Sequence, residues 1–268
     1  MFRGIDLLKA SEAELSGIRG KAISMVFQDP MTALNPSMTI GAQISEVLSQ
    51  HAALSRAQVR MRTMELLHLV GIPDPDERFG QYPHQFSGGM RQRIVIAIAI
   101  ANNPAVLLAD EPTTALDVTI QSQILLLIRN IRAKVGMAMI LITHDLGLVA
   151  GISDRVVVMY AGQVMEEGTT DQIFYAPQHP YTHGLLGAVP SLADAGGRAL
   201  RTIEGLPPSL IGPPRGCAFA DRCPYRMQIC RLEPPPDFTP LPANRAACWL
   251  HHDQAAQQRA AFIAAKRG

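Results

Sequence analysis

The chain has 268 residues, of which 47% are hydrophobic, and its formal net charge is +1 at pH 7. This length permits one large or two modest domains, and the near-zero charge excludes a global field that attracts nucleic acid or anionic membranes. The longest apolar run, residues 94–101, is far shorter than the roughly 20 residues that span a bilayer. The first residues also lack the apolar segment of a secretory signal. We therefore expect a soluble protein that reaches membranes only through partners.

Strand and helix patterns alternate over the first 177 residues. An apolar run at 21–27 predicts a buried strand, which ends at Gln28-Asp29-Pro30. Ser87 is a candidate N-cap for a helix that runs to about residue 102. The other predicted elements are helices over 39–51, 56–70, 118–134, 146–151 and 254–268, and strands over 106–109, 137–143 and 155–160. Apolar strands separated by helices predict a parallel sheet that is covered on both faces.

Two carboxylates, Asp110 and Glu111, end the strand at 106–109. The carboxyl end of a strand is the usual ligand position in open α/β sheets. One carboxylate there can hold Mg²⁺ through water, and the next can orient or deprotonate an attacking water. The alternative is a solvated carboxylate pair after a strand, and this segment alone does not decide between the two.

Ser87-Gly88-Gly89 places free backbone N–H groups and a positive dipole end at the start of a helix, which suits an anion. An ordinary capped helix is the simpler interpretation of this segment taken alone. His144 and Gln28 also follow predicted strands, and each is a weak signal by itself because lone polar residues at such positions are common.

The order of these segments closely resembles that of the nucleotide-binding subunits of ABC transporters. Met90 stands where many of those proteins have Gln. The matching segments are Phe27-Gln28-Asp29-Pro30 (Q-loop), Phe86-Ser87-Gly88-Gly89-Met90 (signature motif), Leu107-Leu108-Ala109-Asp110-Glu111-Pro112 (Walker B and catalytic Glu), Ala115-Leu116-Asp117 (D-loop) and Ile142-Thr143-His144-Asp145 (H-loop).

The resemblance implies an α/β fold: a P-loop NTPase-like ABC ATPase core with an incomplete parallel sheet, an inserted helical subdomain and a small Cys- and Pro-rich C-terminal extension. The ATPase domain is expected over 1–177, with the helical subdomain at about 31–105, and the extension over 178–268. The implied ligands are ATP and Mg²⁺. The implied catalytic residues are Glu111 and His144, and the implied nucleotide and Mg²⁺ residues are Gln28, Asp110, Ser87, Gly88, Gly89, Gln92 and Asp117.

Further segments resemble the oligopeptide and dipeptide importer branch of that family, in particular residues 28–36, 82–86, 110–119 and His179-Pro180-Tyr181-Thr182. The resemblance implies an ATPase subunit that energises peptide uptake, with related nickel importers as an alternative. The implied partners are a second ABC ATPase subunit, two transmembrane permease subunits and, indirectly, a peptide-binding protein, with no nucleic acid. The implied location is the cytoplasmic face of the inner membrane.

One element of the family pattern is absent from the 268 residues, namely the Walker A loop G-x-x-x-x-G-K-[ST]. Without it no backbone nest holds the α- and β-phosphates and no Lys reaches the γ-phosphate. We expect the chain to be about the C-terminal four-fifths of a longer subunit, which alone neither binds ATP tightly nor hydrolyses it. Ser87, Gly88, Gly89 and Asp117 could still complete the ATP site of a partner, so a non-enzymatic accessory subunit is a further alternative.

The four cysteines lie close together near the C-terminus, in the spacing Cys217-x5-Cys223-x6-Cys230-x17-Cys248. In a reducing compartment such a cluster indicates a metal site rather than disulfides. Four thiolates suit a [4Fe-4S] cluster or a tetrahedral Zn²⁺. The resemblance favours [4Fe-4S], with free thiols second and zinc third, in a role that staples a segment with little core of its own.

Overall fold

The computed structural model describes residues 1–51, 53–114, 116–189, 202–209, 212 and 214–267. These residues form two compact units, 1–144 and 145–268. The division falls upstream of residue 178, where the change in composition predicts a domain boundary. That boundary, and the helical subdomain over about 31–105, stay predictions.

The first unit contains a parallel sheet of three strands, β1 (Ile23–Val26), β2 (Val106–Asp110) and β3 (Ala138–Ile142), in the order β1-β2-β3. Both ladders are parallel and continuous in register. The parallel sheet predicted from these apolar strands is confirmed. Because all three strands run the same way, the residues that follow them meet at one edge of the sheet.

Helices occupy the connections of this unit, and each has local sequence reasons for its ends. α6 (Gly88–Ile100) begins at Ser87, whose side chain accepts the Met90 N–H, and α4 (Arg56–Leu69) begins with a capping box at Ser55. α7 (Val118–Val135) ends at Gly136 in the left-handed conformation. The remaining helices are α1 (Glu12–Ile18), α2 (Pro30–Ala33), α3 (Ile40–His51) and α5 (Pro75–Arg78).

One hydrophobic core joins the sheet to α3, α4, α6 and α7. Its best-buried side chains include Ile44, Leu66, Ile96 and Ile128. α6 is apolar on nearly all sides because it is the central helix of this core. The buried helix places its polar N-terminus, with Ser87 and the two glycines, at the surface.

The second unit holds an antiparallel sheet of β4 (Arg155–Tyr160), β5 (Gln163–Thr169) and β6 (Arg245–Ala246). Placing the strand at 155–160 in the parallel sheet was therefore wrong. Ala161 and Gly162 both have positive φ, of 51° and 77°, as in the tight turns that fold two strands into a hairpin. The helices are α8 (Leu146–Ala150), α9 (Thr170–Tyr175), α10 (Pro180–Gly187), α11 (Ile229–Leu232) and α12 (Ala256–Arg267).

No helix in the described ranges combines the length and apolar character needed to cross a bilayer.

Candidate functional site

Three side chains that follow the parallel strands meet at the carboxyl edge of the sheet. The Glu111 carboxylate accepts hydrogen bonds from Gln28 Nε2 on Oε2 at 2.9 Å and contacts His144 Nδ1 through Oε1 at 2.9 Å. Thr114 Oγ1 donates a further hydrogen bond to Oε2, at 2.8 Å. Residues separated by more than 30 positions are thus brought together by the sheet. Thr114 was not predicted; the signal for it was a hydroxyl three residues after the carboxylate, within a tight turn.

The backbone at Glu111 is strained, with φ of +42°. Residues other than glycine adopt this conformation at a cost of about 1–3 kcal/mol, and such residues concentrate at functional sites. The Glu111 N–H donates to the Ile142 carbonyl at 2.9 Å, which continues the sheet ladder one residue past β2. This bond fixes the direction of the Glu111 side chain relative to the end of β3.

The hydrogen bonds also favour the ionised form of this carboxylate. His144 first, and then Thr114 and Gln28, lower the pKa of Glu111 below its ordinary value. Glu111 is therefore ionised at neutral pH and can only accept, so His144 carries its proton on Nδ1. A carboxylate with a lowered pKa is a weak base, which suits orienting and polarising a water more than removing its proton in full.

Asp110 is the last residue of β2 and is partly buried. Its position beside Glu111 agrees with a carboxylate available to Mg²⁺ at the sheet edge. The predicted role of Asp110 stays a prediction.

The signature segment forms a second cluster with the start of α7. A Cβ at Gly88 would meet Leu116 Cδ2 at 3.6 Å, an ordinary contact, whereas a Cβ at Gly89 would meet Ile120 Cγ2 at 2.8 Å. A side chain at position 89 would thus crowd Ile120, whereas a Cβ at position 88 would fit without a close contact. Asp117 caps α7 by accepting the Ile120 N–H at 3.0 Å, so the predicted nucleotide residue also has a structural role.

Gln92, one turn into α6, is 1% exposed, and neither its amide oxygen nor its amide nitrogen has a hydrogen-bond partner among the described residues. The side chain lies in the core and not at the surface that Ser87 occupies. Its predicted contact with nucleotide stays a prediction.

The four cysteines of the second unit line a single cavity. Backbone N–H groups lie at all four sulfurs. The Met227 N–H donates to Cys230 Sγ at 3.4 Å. Phe219 and Ala220 are the backbone partners of Cys217, Tyr225 is that of Cys223, and Leu250 is that of Cys248. Burial raises the pKa of Cys223 to about 12 and also raises those of Cys217 and Cys248. Without a cation, these three thiols are therefore neutral.

Within the described ranges, no three His, Cys, Asp or Glu side chains are already arranged to hold a metal ion. The cysteines thus share a cavity and backbone N–H donors, but their sulfur atoms are not yet arranged around one metal position. A donor set of four thiols with no carboxylate among the residues lining the cavity fits a soft metal or an iron–sulfur cluster.

Comparison with known proteins identifies the family of this chain. The family profile "ABC transporter" matches residues 3–114, and "Oligopeptide/dipeptide transporter, C-terminal region" matches residues 165–230. The Bacillus subtilis dipeptide transport ATP-binding protein DppD is 55% identical over 255 residues, which are 95% of this chain and 76% of that protein. The oligopeptide transport ATP-binding protein OppD of the same species is 54% identical over 95% of this chain and 71% of that protein.

A solved structure supports the fold. The dimeric post-hydrolysis state of the ATP-binding cassette MJ0796, bound to ADP and phosphate, superposes with a TM-score of 0.56 and 30% identity, over 63% of this chain and 71% of that chain. With the profiles, the close relatives and the Glu111 cluster all in agreement, the chain belongs to the ABC transporter ATP-binding proteins of the oligopeptide and dipeptide transporter branch.

Proposed function

We propose that this chain is an ATP-binding subunit of an ABC importer that energises the uptake of dipeptides or oligopeptides, at the cytoplasmic face of the cell membrane. The observation that carries the proposal is the 55% identity to the DppD protein over 95% of this chain. The hydrogen-bonded Glu111 cluster supports the proposal, because an ATPase of this fold needs an oriented carboxylate at this edge of the sheet.

In this proposal each polar residue at the sheet edge has a separate task. Asp110 would hold Mg²⁺ and Glu111 would polarise the water that attacks the γ-phosphate. His144 would contact the γ-phosphate, and Gln28 would sense Mg²⁺ and pass closure on to the permease subunits. Oε2 of Glu111 accepts from Gln28 and Thr114, whereas among the described residues Oε1 is contacted by His144 alone. Oε1 therefore keeps a lone pair that could accept a hydrogen bond from the attacking water.

The signature segment would act on a partner's nucleotide. Ser87, Gly88 and Gly89 lie at the surface end of a buried helix and would receive the phosphates of ATP bound by a second ATPase subunit. Asp117 lies in the same cluster and would belong to that interface. The dimeric state of the MJ0796 cassette is the precedent for such pairing.

The test uses the chain alone and in a complex with a second ATPase subunit and two permease subunits, reconstituted in vesicles. Alone, the 268 residues are expected to bind ATP more weakly than micromolar and to show no hydrolysis, because they contain no Walker A loop. In the complex, ATP is expected to drive accumulation of labelled dipeptides or tripeptides.

Three results would contradict the proposal. Nickel uptake without peptide uptake would assign a different cargo. Assembly of the complex with no ATP-driven transport of either solute would leave only an accessory role. Micromolar ATP affinity of the isolated chain would show that another segment replaces the phosphate loop.

We further propose that Cys217, Cys223, Cys230 and Cys248 hold a [4Fe-4S] cluster. The supporting observation is that all four line one cavity and have backbone N–H donors at their sulfurs. When bound, the cluster would supply a covalent cross-link between loops that have little hydrophobic core. The N–H groups would stabilise the thiolates that burial alone disfavours.

Anaerobic purification tests this second proposal. The wild-type chain is expected to absorb at roughly 400 nm, as iron–sulfur proteins do, and Cys223→Ser is expected to lose that band together with the bound iron and sulfide. Zinc in place of iron, or four thiols that react freely with a thiol reagent in the fresh sample, would contradict it. A chelator-treated wild-type sample serves as the metal-free reference.

A further inference from the structure

A buried histidine also lines the cysteine cavity, and sequence reasoning gave it no role. His179 is 1% exposed and contributes to the same cavity wall as the four cysteines. Its Nδ1 accepts the Tyr181 N–H at 3.0 Å, as the N-cap of α10. Its Nε2 has no hydrogen-bond partner in the described part of the chain.

The tautomer of this ring follows from its contacts. Because Nδ1 accepts a hydrogen bond, the proton of the neutral imidazole must lie on Nε2. Burial lowers the pKa of His179 to about 3, so the ring is neutral at physiological pH. A protonated Nε2 has no lone pair for a metal, and it therefore acts as a donor rather than as a ligand.

The ring has a fixed position. The backbone N–H of His179 donates to Glu166 Oε2 at 3.0 Å, and the backbone N–H of Gln178 donates to Glu166 Oε1 at 2.7 Å. The imidazole packs against Phe219, with 6.0 Å between ring centroids. A buried N–H held in place without an acceptor costs about 1–3 kcal/mol, so an acceptor supplied by a group bound in the cavity would stabilise this ring.

Sulfur is the acceptor that this cavity offers. Of the other lining residues, Pro180, Ala220 and Leu250 have apolar side chains, and Tyr225 carries the one further side-chain oxygen among the described lining residues. We propose that the Nε2–H group of His179 donates a hydrogen bond to a sulfur of the metal centre held by the four cysteines, and thereby raises its reduction potential. This inference rests on the proposed four-cysteine centre.

Two substitutions separate the two ring nitrogens. His179→Asn keeps an acceptor near the Nδ1 position, and Asn is a good N-cap, but its amide is too short to reach the cavity. His179→Gln instead places an N–H donor near the Nε2 position and loses the cap. The pair therefore distinguishes the hydrogen bond from support of α10.

The experiment loads the full chain anaerobically with ferrous iron and sulfide and titrates it with redox dyes. His179→Asn is expected to lower the ratio of reduced to oxidised centre about fivefold at a given potential, since hydrogen bonds to sulfur stabilise the reduced state and one bond contributes about 1 kcal/mol. His179→Gln is expected to stay near wild type. A second measurement uses the unsubstituted chain. When Zn²⁺ is loaded, the NMR signal of the His179 Nε2 proton should move downfield.

The possible failures are distinct. An intact chromophore with the same potential in wild type and His179→Asn, or an Nε2 proton unmoved by Zn²⁺, overturns the inference and leaves the metal centre standing. Failure of the wild type to take up iron and sulfide or Zn²⁺ overturns both proposals.

Discussion

Gly88→Asp is expected to abolish ATP hydrolysis by the complex of this chain with a second ATPase subunit and the permeases, with a loss of at least about 100-fold. The new carboxylate would lie at the helix N-terminus that is proposed to receive the partner's phosphates, where like charges repel. For comparison, removal of one hydrogen-bond donor from an oxyanion hole costs about 10²–10³ in kcat in other enzymes. The measurement is steady-state phosphate release.

The structure predicts that this variant folds. A Cβ at Gly88 meets Leu116 Cδ2 at an ordinary 3.6 Å, and Asp in the first turn stabilises a helix by about 0.3–1 kcal/mol. Gly80→Asp adds the same charge at an exposed turn where nothing lies within 4 Å, and it should leave hydrolysis unchanged. Full activity of Gly88→Asp with an unchanged melting temperature would show that this helix end does not face phosphate.

Gly89 provides a contrast that explains why both glycines are needed. Its Cβ would approach Ile120 Cγ2 to 2.8 Å, so even Ala there disturbs the contact between α6 and α7. The adjacent glycines thus differ in packing, because only Gly89 lies too close to Ile120 to accept a Cβ. Ligand access at Gly88 is the proposal that the Gly88→Asp variant tests. A sequence motif treats the two positions alike, and only the packing separates them.

The sequence predicted the elements of the first unit well because its patterns are local. Apolar runs predicted β1, β2 and β3, and Ser87 as an N-cap predicted the start of α6. The convergence of Gln28, Glu111 and His144 came from the family resemblance, since each residue alone is a weak signal. The strain at Glu111 could not be predicted, because φ of +42° occurs where the residue also bonds to β3, a contact between residues that are distant in sequence.

Predictions in the second unit were poorer for two different reasons, one local, at β4, and one long-range, at the cysteine cavity. β4 was assigned to the parallel sheet, yet it pairs with β5 through the turn at Ala161 and Gly162. The four cysteines were identified, whereas the buried imidazole beside them was not. A histidine in a Pro-rich segment has no periodicity that indicates burial, and the cysteines that share its cavity lie about 40 or more positions away.

Glu166→Ala is expected to lower the free energy of unfolding of the chain by about 2–5 kcal/mol. The Glu166 carboxylate is fully buried in β5 and accepts the N–H groups of Gln178 and His179. Removing it leaves two buried backbone donors unpaired, at about 1–3 kcal/mol each. The neighbouring Glu167→Ala is the matched control, because its exposed ion pair with Arg155 contributes only about 0–1 kcal/mol. Denaturant unfolding measures both.

The pH dependence gives this prediction a second, independent readout. Burial raises the pKa of Glu166 above the value of 4.5 that it has in an unfolded chain. The folded state therefore binds the proton more tightly, and the contribution of Glu166 to stability is greatest below 4.5 and declines as the pH rises through the raised pKa. The destabilisation caused by Glu166→Ala should consequently be larger at low pH and smaller at high pH. A destabilisation that is independent of pH, or that equals that of Glu167→Ala, would mean that this carboxylate does not hold the segment before α10.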